Sequence, residues 1–233
     1  MKRHNNIIFG ASKKQKKAEV EEVIPQIPSV YSSLLNQLQD NNEDEMVFLE
    51  GNHLYFLTDV SDESVYKVRK LANEYAEKYL KYKKSNIVNV TPKPLVLHIN
   101  SAGGSVHAGF ILYDFIKEYQ KNIPVYTVVE GVVASAATII SIAGTKRFIT
   151  ETSYMLIHQL STFMGGKYEE LKDEMANCNK VMKKIIDIYE KHTKINKKKI
   201  PDLLKHDLLW NANECIKYGI VDEIKTIDIF SDF

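Results

Sequence analysis

Arginine, cysteine and an excess of either charge are what this sequence of 233 residues has little of. Its two cysteines, Cys178 and Cys215, belong to no C-x-x-C pair and no Cys/His cluster, which excludes a disulfide-stapled scaffold and a structural zinc site. Lys+Arg 31 against Asp+Glu 30 leaves a formal net charge of +1, without the basic excess that nucleic-acid binding usually demands, so no nucleic-acid partner is expected. The longest apolar stretch, Val132 to Ala143, is interrupted by Ser135, Thr138 and Ser141 and falls short of the ~20 residues of a membrane-spanning helix. No membrane partner is expected. The first residues, Met1-Lys2-Arg3-His4-Asn5-Asn6, do not look like a secretory leader, so the expectation is a soluble, cytoplasmic chain in a reducing compartment. Arginine stands only at Arg3, Arg69 and Arg147 while Lys, Asn, Ile and Tyr are plentiful, a bias that suits an AT-rich coding sequence better than any function. A hydrophobic content of 44% is enough for a real core and excludes fibrous and wholly disordered chains; the length suits one good-sized domain or two small ones.

The chain divides by composition. Residues 1–45 carry the cluster Lys13-Lys14-Gln15-Lys16-Lys17, then Glu19, Glu21 and Glu22, Pro25 and Pro28, and a polar run from Gln39 to Glu45; they read as a partly disordered arm with a short helix at Tyr31 to Leu38. The lysine cluster beside its glutamates reads as a solvated charge run. From Met46 strands and helices alternate: strands at Met46–Leu49 and Leu54–Thr58, a helix at Glu63–Lys83, a loop at Lys84–Pro94, then strand Leu95–Ile99, helix Val106–Tyr119, strand Val125–Val129, helix Ser135–Ala143, and strands Arg147–Thr150 and Met155–Ile157. This rhythm predicts an α/β domain with a mainly parallel sheet. Further on, Leu171, Met175, Cys178, Met182, Ile185 and Tyr189 recur at helical spacing, a stripe that serves as a core or subunit-packing face. Residues 46–225 form the expected domain and 226–233 a tail.

Ligands of parallel sheets bind at the carboxyl ends of strands, and the chemistry-bearing residues fall there. Leu95–Ile99 runs into Asn100-Ser101-Ala102-Gly103-Gly104-Ser105, where paired glycines allow a sharp turn and a close backbone approach to an oxyanion; alone, such a pair is a turn, and its spacing fits no nucleotide loop. Val125–Val129 runs through Glu130-Gly131-Val132-Val133 to Ala134-Ser135-Ala136-Ala137, which places a serine at a helix start, either an N-cap or an exposed nucleophile. Tyr154-Met155-Leu156-Ile157-His158-Gln159 ends an apolar strand on a histidine, a structural residue or a general base. A Ser-His pair needs a third group to orient the imidazole, and spacing does not choose among Asp187, Asp202, Asp207 and Asp222.

These segments together resemble the Clp protease proteolytic subunit (ClpP) family, serine peptidases of the ClpP/crotonase fold. The residues that carry the resemblance are Ile99-Asn100-Ser101-Ala102-Gly103-Gly104, Gly131-Val132-Val133-Ala134-Ser135-Ala136, Leu156-Ile157-His158-Gln159, the run from Asp207 to Cys215, and Tyr218-Gly219-Ile220-Val221-Asp222, all in the family's order. The resemblance implies a fold of stacked βαβ units with a protruding handle, here 160–191: Leu160 to Lys167 as a glycine-bearing strand and Tyr168 to Lys191 as a helix. It implies Ser135 as nucleophile, His158 as base, Asp207 as its orienting carboxylate, and the backbone N–H groups of Gly104 and Ala136 as oxyanion hole. It further implies heptameric rings stacked in pairs, an AAA+ Clp-type ATPase as partner, and polypeptide substrates. The chain itself would need no metal or bound cofactor, ATP being used only by the ATPase. Ala102 stands where the family has proline, and Ala136 where it has methionine. Lys81 to Lys93 reads as an insertion, and the arm does not resemble the family's ATPase-contacting loops.

Three other readings share this fold. A catalytically silent ring subunit is disfavoured because all three triad residues are kept, and acyl-CoA chemistry of the crotonase type would want pocket carboxylates in place of a Ser-His pair. The third is a viral prohead-maturation peptidase, for which the unusual arm and the AT-rich bias speak; an organellar or virus-associated location therefore stays open.

Overall fold

The computed structural model describes residues 46–84 and 93–225, so the expected arm, its short helix, the 226–233 tail and most of the expected insertion lie outside the described residues. Among them the strands are β1 (Val47–Glu50), β2 (His53–Phe56), β3 (Leu95–Ser101), β4 (Val125–Ala134), β5 (Lys146–Ile149), β6 (Tyr154–Leu156), β7 (Leu209–Asn211) and β8 (Glu223–Ile224). The helices are α1 (Asp62–Lys84), α2 (Val106–Tyr119), α3 (Ala136–Ser141), α4 (Tyr168–His192), α5 (Ile200–Leu203) and α6 (Ala212–Tyr218), with a 3₁₀ turn at Lys197–Lys199. The sheet order is β1-β2-β3-β4-β5-β8, with β6 joined to β4 and β7 joined to β6. All pairings are parallel except β1–β2 and β6–β7. The expected α/β domain with a mainly parallel sheet is therefore the observed one.

Side-chain alternation along the central strands divides the sheet into two faces. Leu97, Ile99, Val125 and Val129 point into the large core shared with α1, α2 and α3, all of them buried. Val96, Val128 and Phe148 form a smaller cluster on the other face, with Tyr126 against it. On that second face His98 is buried and linked through Nδ1 to Glu130 Oε1 at 2.5 Å and through Nε2 to His53 Nδ1 at 2.9 Å, with Tyr55 stacked on its ring at 4.6 Å.

Two differences from the expected elements bear on the site. β4 does not end at Val129 but continues to Ala134, because Gly131 at φ +67° bends it without breaking it and Val132–Ala134 then pairs with β6. Asn100 sits in the bend: its Oδ1 accepts from Val132 N–H at 3.4 Å, and a Cβ on Gly131 would meet its amide at 3.3 Å. The second difference is the handle. Leu160 to Lys167 forms no strand, since a strand needs a ladder partner and this segment has none among the described residues. Its first N–H, that of Leu160, turns instead to Met182 Sδ at 3.1 Å.

The handle helix α4 extends as expected, but its apolar stripe is only half covered. Ile185 and Tyr189 lie in the core, Cys178 and Met182 are half-buried, and Leu171 and Met175 are exposed. Its C-terminal end is fastened by Arg147, which binds Asp222 through Nη2 at 2.5 Å and Nε at 3.1 Å and donates through Nη1 to the His192 carbonyl at 2.5 Å. The His192 ring is bonded to Tyr113 Oη at 2.7 Å. Burial, then the cations of Lys117, Lys191 and Arg147, push this imidazole down to about 4 from its ordinary 6.5. Between those values the unfolded chain binds the proton and the folded chain does not, so this contribution to stability is present above about 6.5 and is lost as pH falls toward 4. Urea midpoints measured from pH 7 to pH 4 should fall less steeply in His192→Gln than in the parent, and an unchanged slope would show that His192 is not the group responsible.

Candidate active site

Three strand ends meet at one cleft of about 390 Å³, whose walls include Gly104, Ser135 and His158 just past those ends, Ala136 at the start of α3, and Cys178 and Val181 from α4. Each side chain arrives there for a local reason. Ser135 directly precedes α3 and has φ +53°, the only non-glycine residue with positive φ among those described. Its side chain makes no capping hydrogen bond. The N-cap explanation for this serine therefore fails, because an N-cap has extended backbone and uses its oxygen to satisfy the helix. A side chain held in this conformation costs about 1–3 kcal/mol, and Ser135 lines the cleft with its hydroxyl uncommitted to the helix. The turn is anchored by Ser135 N–H, which donates to the Leu156 carbonyl at 2.9 Å.

Gly103 and Gly104 lie directly against this turn. A Cβ on Gly103, at φ +104°, would sit 2.6 Å from Ser135 Cβ and 2.8 Å from the Ala134 carbonyl. A Cβ on Gly104, at φ +138°, would sit 2.4 Å from the Val60 carbonyl. The Gly-Gly pair is thus required by close approach on two sides. Val60 N–H donates to the Gly103 carbonyl at 2.7 Å and Ser105 N–H donates to the Val60 carbonyl at 2.8 Å, a parallel bridge in which Gly104 turns its own N–H away from Val60. Ala136 opens α3, so its N–H has no partner within the helix.

His158 follows β6 and Asp207 precedes β7. The antiparallel register of these strands sets Leu156 opposite Leu209, and two more steps in the same register set His158 opposite Asp207. Their side chains touch, His158 Nδ1 to Asp207 Oδ1 at 3.1 Å. A carboxylate only accepts, so Nδ1 carries the proton and Nε2 is the nitrogen left with a free lone pair. The next residue is pinned as well, Gln159 N–H donating to the Leu204 carbonyl at 2.7 Å. The other three aspartates are engaged elsewhere: Asp187 by Lys197 at 3.2 Å, Asp202 by Lys205 at 2.7 Å, and Asp222 by Arg147 at 2.5 Å. Of the four candidates that spacing left open, Asp207 is the one in contact with His158.

A family model described as Clp protease matches residues 70–228. The chain belongs to the Clp protease family. Similar proteins in this family include the ATP-dependent Clp protease proteolytic subunit 2 of Treponema denticola, 35% identical over 134 residues that cover 57% of this chain and 66% of that one. The proteolytic subunit of Deinococcus radiodurans is 32% identical over 130 residues, covering 55% of this chain and 63% of its own. The chain thus spans slightly less than two thirds of those two relatives. The proteolytic subunit 1 of Chlamydia pneumoniae is 32% identical over 196 residues, covering 82% and 94%. The family match and the mixed α/β sheet agree on the ClpP fold.

Two residues of the site had no signal in the sequence. Thr138 stood out only as a polar break in an apolar run and Tyr189 only as part of a stripe, yet their side chains touch at 2.5 Å behind Ser135. Nothing in spacing links residues that far apart in the chain. Among the described residues no group of three metal-ligating side chains is gathered, and no helix is long and apolar enough to cross a membrane. Gly103→Ala tests the packing of the turn. It should lower the melting temperature by an amount worth about 1–3 kcal/mol and distort the serine turn, read as lost reactivity of Ser135 toward an acylating probe; wild-type stability and reactivity would refute the close approach.

Proposed function

We propose that this chain is a serine endopeptidase of the ClpP type, with Ser135 as nucleophile, His158 as general base and Asp207 as the carboxylate that orients it. The observation that carries the proposal is the His158–Asp207 contact at 3.1 Å, since it leaves Nε2 as the basic nitrogen of a histidine that lines the same cleft as Ser135. In the first step His158 Nε2 takes the Ser135 hydroxyl proton as Oγ bonds to the peptide carbonyl carbon. The carbonyl oxygen takes up negative charge and is met by the N–H groups of Gly104 and Ala136. Collapse of the tetrahedral species breaks the C–N bond, and His158 passes its proton to the leaving amine, which leaves an acyl-serine. Water, deprotonated by the same nitrogen, then releases the second product and restores the hydroxyl.

The family name carries the wider proposal. Relatives named as ATP-dependent proteolytic subunits support polypeptide substrates and a partnership with an AAA+ ATPase that uses the ATP, this chain binding no cofactor. Assembly into heptameric rings stacked in pairs is supported by the exposed apolar end of the handle, where Phe163, Tyr168, Leu171 and Met175 carry more hydrophobic surface than an isolated subunit has use for.

A fluorophosphonate probe should label Ser135 in the purified protein, and labelling that persists in Ser135→Ala would refute the assignment. His158→Ala and Asp207→Asn should each slow peptide hydrolysis by about 10³-fold or more, measured with a fluorogenic peptide; a loss of only a few fold in either would remove that residue from the triad.

A further inference from the structure

The nucleophile turn is braced by a hydrogen-bond chain that the triad does not explain. Tyr189, fully buried on α4, lies 2.5 Å from Thr138 Oγ1, and Thr138 Oγ1 lies 2.6 Å from the Ser135 carbonyl oxygen. Directions follow from the chemistry. A carbonyl can only accept, so the single Thr138 hydroxyl proton goes to Ser135, and Tyr189 must donate to Thr138. Burial pushes the Tyr189 phenol well above its ordinary value, which keeps that proton in place. The Ser135 carbonyl also accepts from Thr138 N–H at 3.0 Å, so two donors hold the same oxygen.

The carbonyl of Ser135 and the N–H of Ala136 belong to one planar trans peptide unit and point in opposite directions. Whatever fixes the oxygen fixes the N–H. Donors on the oxygen also draw electron density toward it and make the N–H a stronger donor, the cooperative effect of linked hydrogen bonds. We infer that Tyr189 and Thr138 are positioning residues for the oxyanion hole, acting through the Ser135–Ala136 peptide to aim and strengthen the Ala136 N–H. This rests on the peptidase reading given above and names the residues that tune its oxyanion donor. It also ties the handle helix to the catalytic turn, because Tyr189 belongs to α4 and Thr138 to α3.

An oxyanion donor matters more in the transition state than in bound substrate, so the loss should appear in kcat and not in KM. Tyr189→Phe keeps the ring and removes the hydroxyl. Using the full chain and a fluorogenic peptide, it should lower kcat about threefold to tenfold with KM within about twofold. Affinity for a peptide boronic acid, whose tetrahedral adduct mimics the oxyanion, should fall by the same factor. Thr138→Val should match it, Thr138→Ser should restore the parent values, and adding Tyr189→Phe to Thr138→Val should cost nothing more. Tyr113→Phe, which removes a different phenol bonded to the same helix, should leave kcat unchanged. An unchanged kcat in Tyr189→Phe, or a lower kcat with unaltered boronate affinity, overturns the inference while fluorophosphonate labelling of Ser135 upholds the peptidase reading. Absence of that labelling in the unsubstituted protein overturns both.

Discussion

A serine with a side chain is held at φ +53°, and the rest of the site depends on that constraint. Positive φ is unfavourable for any residue with a Cβ, and it persists only where surrounding structure over-determines it. Here the bracing comes from three directions. Ser135 N–H is bonded to the end of β6, its carbonyl is held by Thr138, and its Cβ lies against Gly103 with no room for another carbon. The strain and the uncapped hydroxyl are one feature, since a relaxed N-cap would turn the hydroxyl back onto the helix.

That bracing requires the sheet to divide. If β4 stayed flat it would carry Ser135 along the main sheet, away from β6. The bend at Gly131, filled by the Asn100 side chain, sends Val132–Ala134 to pair with β6, and β6 in turn holds β7. His158 and Asp207 then face one another because the β6–β7 register, continued past both strand ends, sets them in line. Asn100 and Gly131 thus shape the candidate site as much as the side chains that line it.

The sequence made much of this legible, for identifiable reasons. Helix α2 was readable to the residue because its apolar period is regular and Ser105 caps it, accepting from Ala108 N–H at 3.3 Å. That Ser135, His158 and Gly104 would gather at one cleft was readable because strand ends in a parallel sheet converge on one edge. Asp207 was reached only through resemblance, since an antiparallel register between segments some fifty residues apart leaves no trace in spacing. The second half of β4 was hidden by a glycine that looks like a strand end and is a bend. Leu160 to Lys167 looked like a strand through resemblance, but a strand is defined by its partner, and the described residues offer it none. The Tyr189–Thr138 link was invisible for the same reason as Asp207: side chains from distant helices meet only after folding.

The central claim is that Ser135 and His158 Nε2 face the same substrate carbonyl. A peptidyl chloromethyl ketone tests it most directly, because it bonds to the serine oxygen through its carbonyl and alkylates the histidine through its methylene only when both are in reach of one bound peptide. Mass mapping of the treated protein should find one equivalent of inhibitor, attached at His158, with the reaction suppressed in Ser135→Ala. Alkylation at another residue, or at His158 with undiminished rate in Ser135→Ala, would contradict the account.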